Sequence, residues 1–297
     1  VIPTGENSII NMAILNQISN IIFMKNFDLK KFNKIKFENI DKIKKDLKEY
    51  SPIFIIGLPR SGSTLVETLL SSNKSVIPIG ENSIINMAIL NQISNIIFMK
   101  NFDLKKFNLS LDCEKLSDYV YKKINQIEKL RTKNNLYFTD KTLVNFFNIE
   151  VILSIFPSAK FVHCYRNYKD AVIAIYQSLL PTLSWTHNLD DIIGYVDNYI
   201  NTMNYFKSKY SDKIFDLKLE YMTETKKELN KELFDFCGIN WDEKFLNFKE
   251  KNNLSIKTSS NVQLRDNINK YDYNKYSNYH FILKKYEKNF EWLSMKN

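Results

Sequence analysis

The stretch Ser51 to Asn73, SPIFIIGLPRSGSTLVETLLSSN, constrains the fold more than any other part of the chain. Ile53 to Ile56 are β-branched or aromatic without polar interruption, the pattern of a strand covered on both faces, and Gly57 ends the run. Gly62, Ser63 and Thr64 then open a helix whose first turn leaves backbone N–H groups unpaired at the positive end of its dipole. Such a terminus is a site for an anion, and the segment reads as a phosphate cradle.

The spacing Gly57-x-x-x-x-Gly62-Ser63-Thr64 follows the phosphate-loop pattern, except that Ser63 stands where nucleotide triphosphatases carry lysine. Without that lysine the loop is poorly equipped for a β,γ-phosphate pair with magnesium. Arg60 instead offers a planar fork suited to a smaller, less charged group.

The wording GLPRSGST resembles the 5′-phosphosulfate loop of sulfotransferases, which use 3′-phosphoadenosine 5′-phosphosulfate (PAPS) as donor. The resemblance runs from about Ile53 to about Tyr286. It is strongest to bacterial sulfotransferases found behind tetratricopeptide repeats, which are related to tyrosylprotein sulfotransferases. It implies an α/β, P-loop-type three-layer fold with a central parallel sheet flanked by helices. Arg60, Ser61, Gly62, Ser63 and Thr64 would hold the 5′-phosphosulfate, with Arg60 also stabilising charge during transfer.

Three further segments carry the resemblance. In FPSAKFVHCYRNYKDAVIAIYQS a strand from Lys160 to Cys164 delivers Arg166 to the sheet's carboxyl edge, where ligands of open α/β sheets bind. The family grips the 3′-phosphate there with an arginine and a serine eight residues later. Here the arginine is Arg166 and the serine position is Ala174, so a hydroxyl from Tyr176 or Ser178 is the candidate substitute. In YFTDKTLVNFFNIEVILSIFP, Lys141 sits between a strand and a helix, where a cation is disfavoured unless an anion is near. It corresponds to the family's catalytic lysine. The polar stretch Lys257 to Tyr279 resembles the loop that covers the donor, with Ser260, Arg265 and Lys275 as donor-side candidates. At Leu219, before Glu220, the relatives usually have tyrosine on the adenosine side.

Arginine usage supports these assignments. Of 42 Lys+Arg only Arg60, Arg131, Arg166 and Arg265 are arginines, so lysine is the default cation and arginine marks a need for a rigid bidentate donor. Arg131 lies in a Lys/Asn-rich stretch and reads as solvated surface.

Glu81 is the candidate base for the acceptor hydroxyl, at the position where tyrosylprotein sulfotransferases carry a glutamate. Burial would have to raise its pKa to suit the role. Gly80-Glu81-Asn82-Ser83 equally resembles a turn and helix cap. His187 is the rival base, whereas His163, inside an apolar strand, reads as a core residue. Sulfuryl transfer involves less negative charge than phosphoryl transfer, so protein donors are expected to replace metal ions, and no metal-binding spacing is present. The competing readings are a phosphate-loop kinase and a degenerate nucleotide-binding protein without turnover.

A chain of 297 residues, 44% hydrophobic and 25% charged with six glycines, is globular rather than fibrous or low-complexity. Cys113, Cys164 and Cys237 are dispersed and odd in number, predicting free thiols and a reducing, cytoplasmic setting. The net charge of +9 suits a polyanionic donor, but the lysines form no single stripe, which disfavours nucleic acid. Ile84 to Met99 is interrupted by Asn86, Asn91, Gln92 and Asn95, an amphipathic helix rather than a membrane span, and no signal-peptide pattern is visible.

Val1 to Asn33 repeats Val76 to Asn108 with one difference, Thr4 for Ile79. Structural repeats diverge and recur several times. A single near-verbatim copy points instead to a recent duplication or an assembly artefact of the gene, with the second copy native and Glu6 a decoy for Glu81. Residues 1–50 are therefore expected as a helical extension, with Lys34 to Tyr50 amphipathic, before a domain spanning 51–297.

Overall fold

A run of apolar residues as short as Ile53 to Ile56 reaches full burial only when helices cover both faces of its sheet. A computed structural model describes residues 36–97, 110–127, 130, 136–224, 226–246 and 271–294. Its strands are β1 (Lys36–Glu38), β2 (Ile53–Gly57), β3 (Val76–Pro78), β4 (Ser110–Asp112), β5 (Tyr137–Asp140), β6 (Lys160–Tyr165) and β7 (Ile214–Lys218). Its helices are α1 (Ser63–Leu70), α2 (Ile84–Ile97), α3 (Cys113–Gln126), α4 (Ile149–Ile155), α5 (Tyr168–Ser178), α6 (Leu189–Lys209), α7 (Leu219–Glu224) and α8 (Lys226–Cys237).

Five strands form a parallel sheet in the order β3-β5-β2-β6-β7. The register along β2 and β6 runs from Ile53 opposite Lys160 to Gly57 opposite Cys164. Alternate residues of β2 feed opposite cores. Phe54 and Ile56 pack with Phe138, Phe156 and Phe161 under α2 to α6, while Ile53 and Ile55 pack with Val66, Leu69 and Phe234 under α1 and α8. Burying each such phenylalanine or isoleucine contributes about 1.5–3 kcal/mol, which makes β2 the spine of the three layers. The expected parallel α/β architecture is the one observed.

One local expectation differs from the structure. Lys34 to Tyr50 forms no amphipathic helix over its described part. Lys36–Glu38 instead pairs in parallel with Ser110–Asp112, followed by 3-10 turns at Ile40–Lys42 and Lys45–Glu49. The distant strand satisfies backbone groups that a helix would have satisfied locally, and Asn39, at φ 56°, turns the chain out of it. β7 ends at Lys218, and Leu219 begins α7 directly after it. Ser277–Tyr286 and Glu291–Leu293 form 3-10 turns. Among the described residues no helix is long and apolar enough to cross a membrane. Cys113, Cys164 and Cys237 are buried free thiols.

Candidate functional site

The chain leaves β2 in both directions, toward β3 and β5 on one side and later toward β6 and β7 on the other. A crevice opens at such a switch point beyond the carboxyl ends of the strands. The loop from Leu58 to Gly62 lies there, with Lys141 at the end of β5 on one flank and Arg166 at the end of β6 on the other.

Close packing requires the two glycines that bound the loop. Gly57 has φ +145°, and a Cβ there would lie 2.1 Å from the Cys164 carbonyl oxygen on the neighbouring strand. Gly62 has φ +85°, and a Cβ would lie 2.6 Å from Leu219 Cδ1. The position where sulfotransferases usually carry tyrosine thus holds a leucine packed on the loop. Arg60 adopts φ 68°, a conformation costing on the order of 1–3 kcal/mol that a rigid loop must sustain.

The loop fits an anion on two structural counts. Gly62 provides α1 with no side-chain cap, so no side chain closes off the donors of its first turn. Ser61 Oγ, in a residue only 2% exposed, is buried without a hydrogen-bond partner, an arrangement that costs about 1–3 kcal/mol unless a ligand completes it. Ser63 and Thr64 are buried beside it.

On the β5 flank, Lys141 is 1% exposed and its Nζ donates to Glu81 Oε1 at 2.5 Å. The Glu81 side chain is 59% exposed, so the burial expected for this residue is absent. Its loop rides on the strand instead of sinking into the core. Two further carboxylates feel the charge of the same lysine through space. Asp140 is fully enclosed, and loss of solvent raises its pKa to about 6, against hydrogen bonds from Thr142 and the Lys141 charge. Glu67, on α1, is 2% exposed, and burial raises its pKa against the charge of Lys141 and donors from Gly80 and Thr139. A cleft of about 260 Å³ borders this flank, lined by Asn82, Ile84, Met87, Tyr119, Lys123 and Gln126 among others.

On the β6 flank, Arg166 is 6% exposed and reaches the loop directly, Nη1 donating to the Arg60 carbonyl at 3.2 Å. Its guanidinium lies over the rings of Tyr271 and Tyr276, 5.0 and 4.9 Å from their centroids. Nη2 donates to Tyr271 Oη, which donates to Asp170 Oδ2, and Asp170 Oδ1 is 2.7 Å from His280 Nε2. Burial raises the Tyr271 pKa, reinforced by the Asp170 hydrogen bond. Arg166 Nε is buried without a partner. Glu220 accepts from the Asn167 N–H at 2.8 Å and braces the turn that follows Arg166.

Arg60, Ser61, Gly62, Ser63, Thr64, Glu81, Lys141 and Arg166 therefore converge on one sheet edge. Lys275 belongs to the segment covering Arg166 and shares the Tyr276 ring with it, its Nζ 5.3 Å from the centroid. Ser260 and Arg265 lie outside the described residues, as do Glu6 and Arg131. Ala174 is buried in the core, and the Ser178 hydroxyl, a candidate substitute for the missing serine, turns back to the Ala174 carbonyl at 2.7 Å. Tyr176 is 39% exposed. His187 lies in an exposed turn against the Leu180 carbonyl. His163 bridges Asp216 and Tyr199 inside the core, where burial lowers its pKa. Glu67, Asp140, Asp170, Tyr271 and His280 escaped sequence reasoning, since only the spacing of Asp170 four residues after Arg166 hinted at a pair. Among the described residues no group of three or more His, Cys, Asp and Glu side chains is placed to hold a metal ion.

A family model described as "Sulfotransferase family" matches residues 52–243. An uncharacterized protein of Aquifex aeolicus (strain VF5) is 28% identical over 235 residues, covering 77% of this chain and 30% of that protein. The chain thus spans under a third of that relative's length. Among solved structures, the sulfotransferase domain of the Synechococcus PCC 7002 olefin synthase superposes with a TM-score of 0.51 at 15% identity, over 75% of this chain and 86% of that domain.

Proposed function

This chain belongs to the sulfotransferase family, and we propose that it transfers a sulfuryl group from PAPS to an acceptor hydroxyl. The observation that carries the reading is the uncapped start of α1 with the orphaned Ser61 hydroxyl, flanked by Lys141 and Arg166. Backbone N–H groups of the loop and the hydroxyls of Ser61, Ser63 and Thr64 are donors for the 5′-phosphosulfate. The Arg166 guanidinium, with its free Nε, suits the 3′-phosphate. PAPS itself supplies the activated sulfuryl group.

The chain's own residues perform the remaining tasks. Lys141 places a buried positive charge at the sheet edge, where negative charge develops on the leaving oxygen. Glu81, paired with the Lys141 ammonium and open to solvent, takes the acceptor proton. Lys275, Ser260 and Arg265 are assigned to the donor side by resemblance. The acceptor is a protein tyrosine, a carbohydrate or a small molecule, and the protein donors make no demand for a metal. A phosphate-loop kinase would need a lysine where Ser63 stands.

Calorimetric titration with adenosine 3′,5′-bisphosphate and with ATP–magnesium tests the reading. Bisphosphate binding together with label transfer from PAPS in an acceptor screen is expected. Tight ATP–magnesium binding without bisphosphate binding overturns the donor assignment, and bisphosphate binding without turnover against any acceptor leaves a binding protein.

A further inference from the structure

Glu67 occupies a position that the surrounding pattern reserves for apolar side chains. It lies on the buried side of α1, beside Val66, Leu69 and Leu70, and is itself 2% exposed. Burying a carboxylate costs several kcal/mol unless charges and hydrogen bonds compensate, so an unneeded glutamate would not be tolerated there. Its compensation comes from three directions. The Gly80 N–H donates to Oε1 at 3.1 Å, Thr139 Oγ1 donates to the same oxygen at 3.3 Å, and the Lys141 charge acts on it through space.

Gly80 is the residue before Glu81, and Thr139 lies two before Lys141. The turn is stitched to β5 on its other side as well. Ile79 N–H donates to the Thr139 carbonyl at 3.0 Å, Lys141 N–H to the Gly80 carbonyl at 2.9 Å, and Ser83 N–H to Thr142 Oγ1 at 2.9 Å. Glu67 ties that assembly to α1, the helix whose N-terminus forms the phosphate cradle.

We propose that Glu67 is a positioning residue, whose carboxylate sets the Gly80–Glu81 turn, and with it Lys141, in register with the loop. The catalytic meaning of this proposal rests on the sulfuryl-transfer reading.

Two variants separate the hydrogen bond from the rest of the side chain. Glu67→Gln keeps an acceptor for the Gly80 N–H, whereas Glu67→Ala removes it. In Glu67→Ala, bisphosphate binding and donor KM are expected to stay near wild type while kcat falls on the order of tenfold or more, and Glu67→Gln is expected to keep most of kcat. A purely structural role would not produce that split between KM and kcat. Amide hydrogen exchange at Gly80 is expected to stay protected in Glu67→Gln and to quicken in Glu67→Ala. Full kcat in Glu67→Ala, a loss in Glu67→Gln as large as in Glu67→Ala, or unchanged Gly80 exchange in Glu67→Ala overturns the proposal. Should Glu67→Ala fail to fold, the same measurements on Glu67→Met, which fills the volume without an acceptor, decide. A wild-type chain that turns over no acceptor overturns the sulfuryl-transfer reading instead, and Gly80 exchange still judges the clamp.

Discussion

Arg166 donates from Nη2 to the hydroxyl of Tyr271 at 2.5 Å. The arginine assigned to the 3′-phosphate is thus held by a segment 105 residues further along the chain. Asp170 accepts from the same hydroxyl, and the Tyr276 ring packs against the guanidinium. Donor binding must add a phosphate oxygen at Nε or take the place of Tyr271. Arg166→Ala is expected to weaken bisphosphate binding by about 1.5–3 kcal/mol, the worth of a charge-assisted contact. Tyr271→Phe removes the competing hydroxyl and should tighten binding modestly in calorimetry. Weaker binding would mean that Tyr271 itself contacts the phosphate.

The ion pair on the other flank carries the second prediction. Lys141→Ala and Glu81→Gln should each lower kcat by about 10²-fold or more while bisphosphate binding changes little, because both groups act in the transition state. His187→Ala should be silent, since that ring faces the Leu180 carbonyl in an exposed turn. Full activity in Glu81→Gln together with loss in His187→Ala would transfer the role of base to the histidine.

Asp140 gives a pH signature of stability. Its pKa in the fold is about 6, against roughly 3.9 for an unfolded aspartate. The folded state binds this proton more tightly, so the contribution is fully present below about pH 4 and is lost as pH rises through about 6. The two-unit difference corresponds to about 3 kcal/mol. In urea unfolding across that window, wild type should lose stability relative to Asp140→Asn, which keeps an oxygen acceptor for the Thr142 N–H. Parallel pH profiles for the two proteins would contradict the assignment.

The duplicated segment is the last test. Residues 1–33 lie outside the described structure, and the strand Lys36–Glu38 that pairs with Ser110–Asp112 begins after them. We propose that a chain lacking Val1 to Asn33 keeps the thermal midpoint and bisphosphate affinity of the full chain, and that Glu6→Gln is silent where Glu81→Gln is not. An unfolded truncation would make the first copy part of the fold. Extending the deletion through Glu38 removes the β1–β4 pairing and should lower the thermal midpoint.

Local sequence determined the strand–loop–helix around Gly57 to Thr64, the amphipathic α2, and the placing of Lys141 and Arg166 just past strands. Each of those depends on periodicity, glycine placement or cap chemistry within a few residues. Tertiary structure decided what those features become. The order β3-β5-β2-β6-β7 puts Lys141 and Arg166 on opposite flanks of one loop, and no short window of sequence encodes strand order. Lys34 to Tyr50 lost its helical reading to a partner strand more than seventy residues away. The buried charges Glu67, Asp140 and Asp170 look like surface residues in sequence. The burial of Glu67 and Asp170 is tolerable because Gly80, Thr139, Tyr271 and His280 arrive from distant segments to satisfy them, while Asp140 is met locally by Thr142 and Asn145.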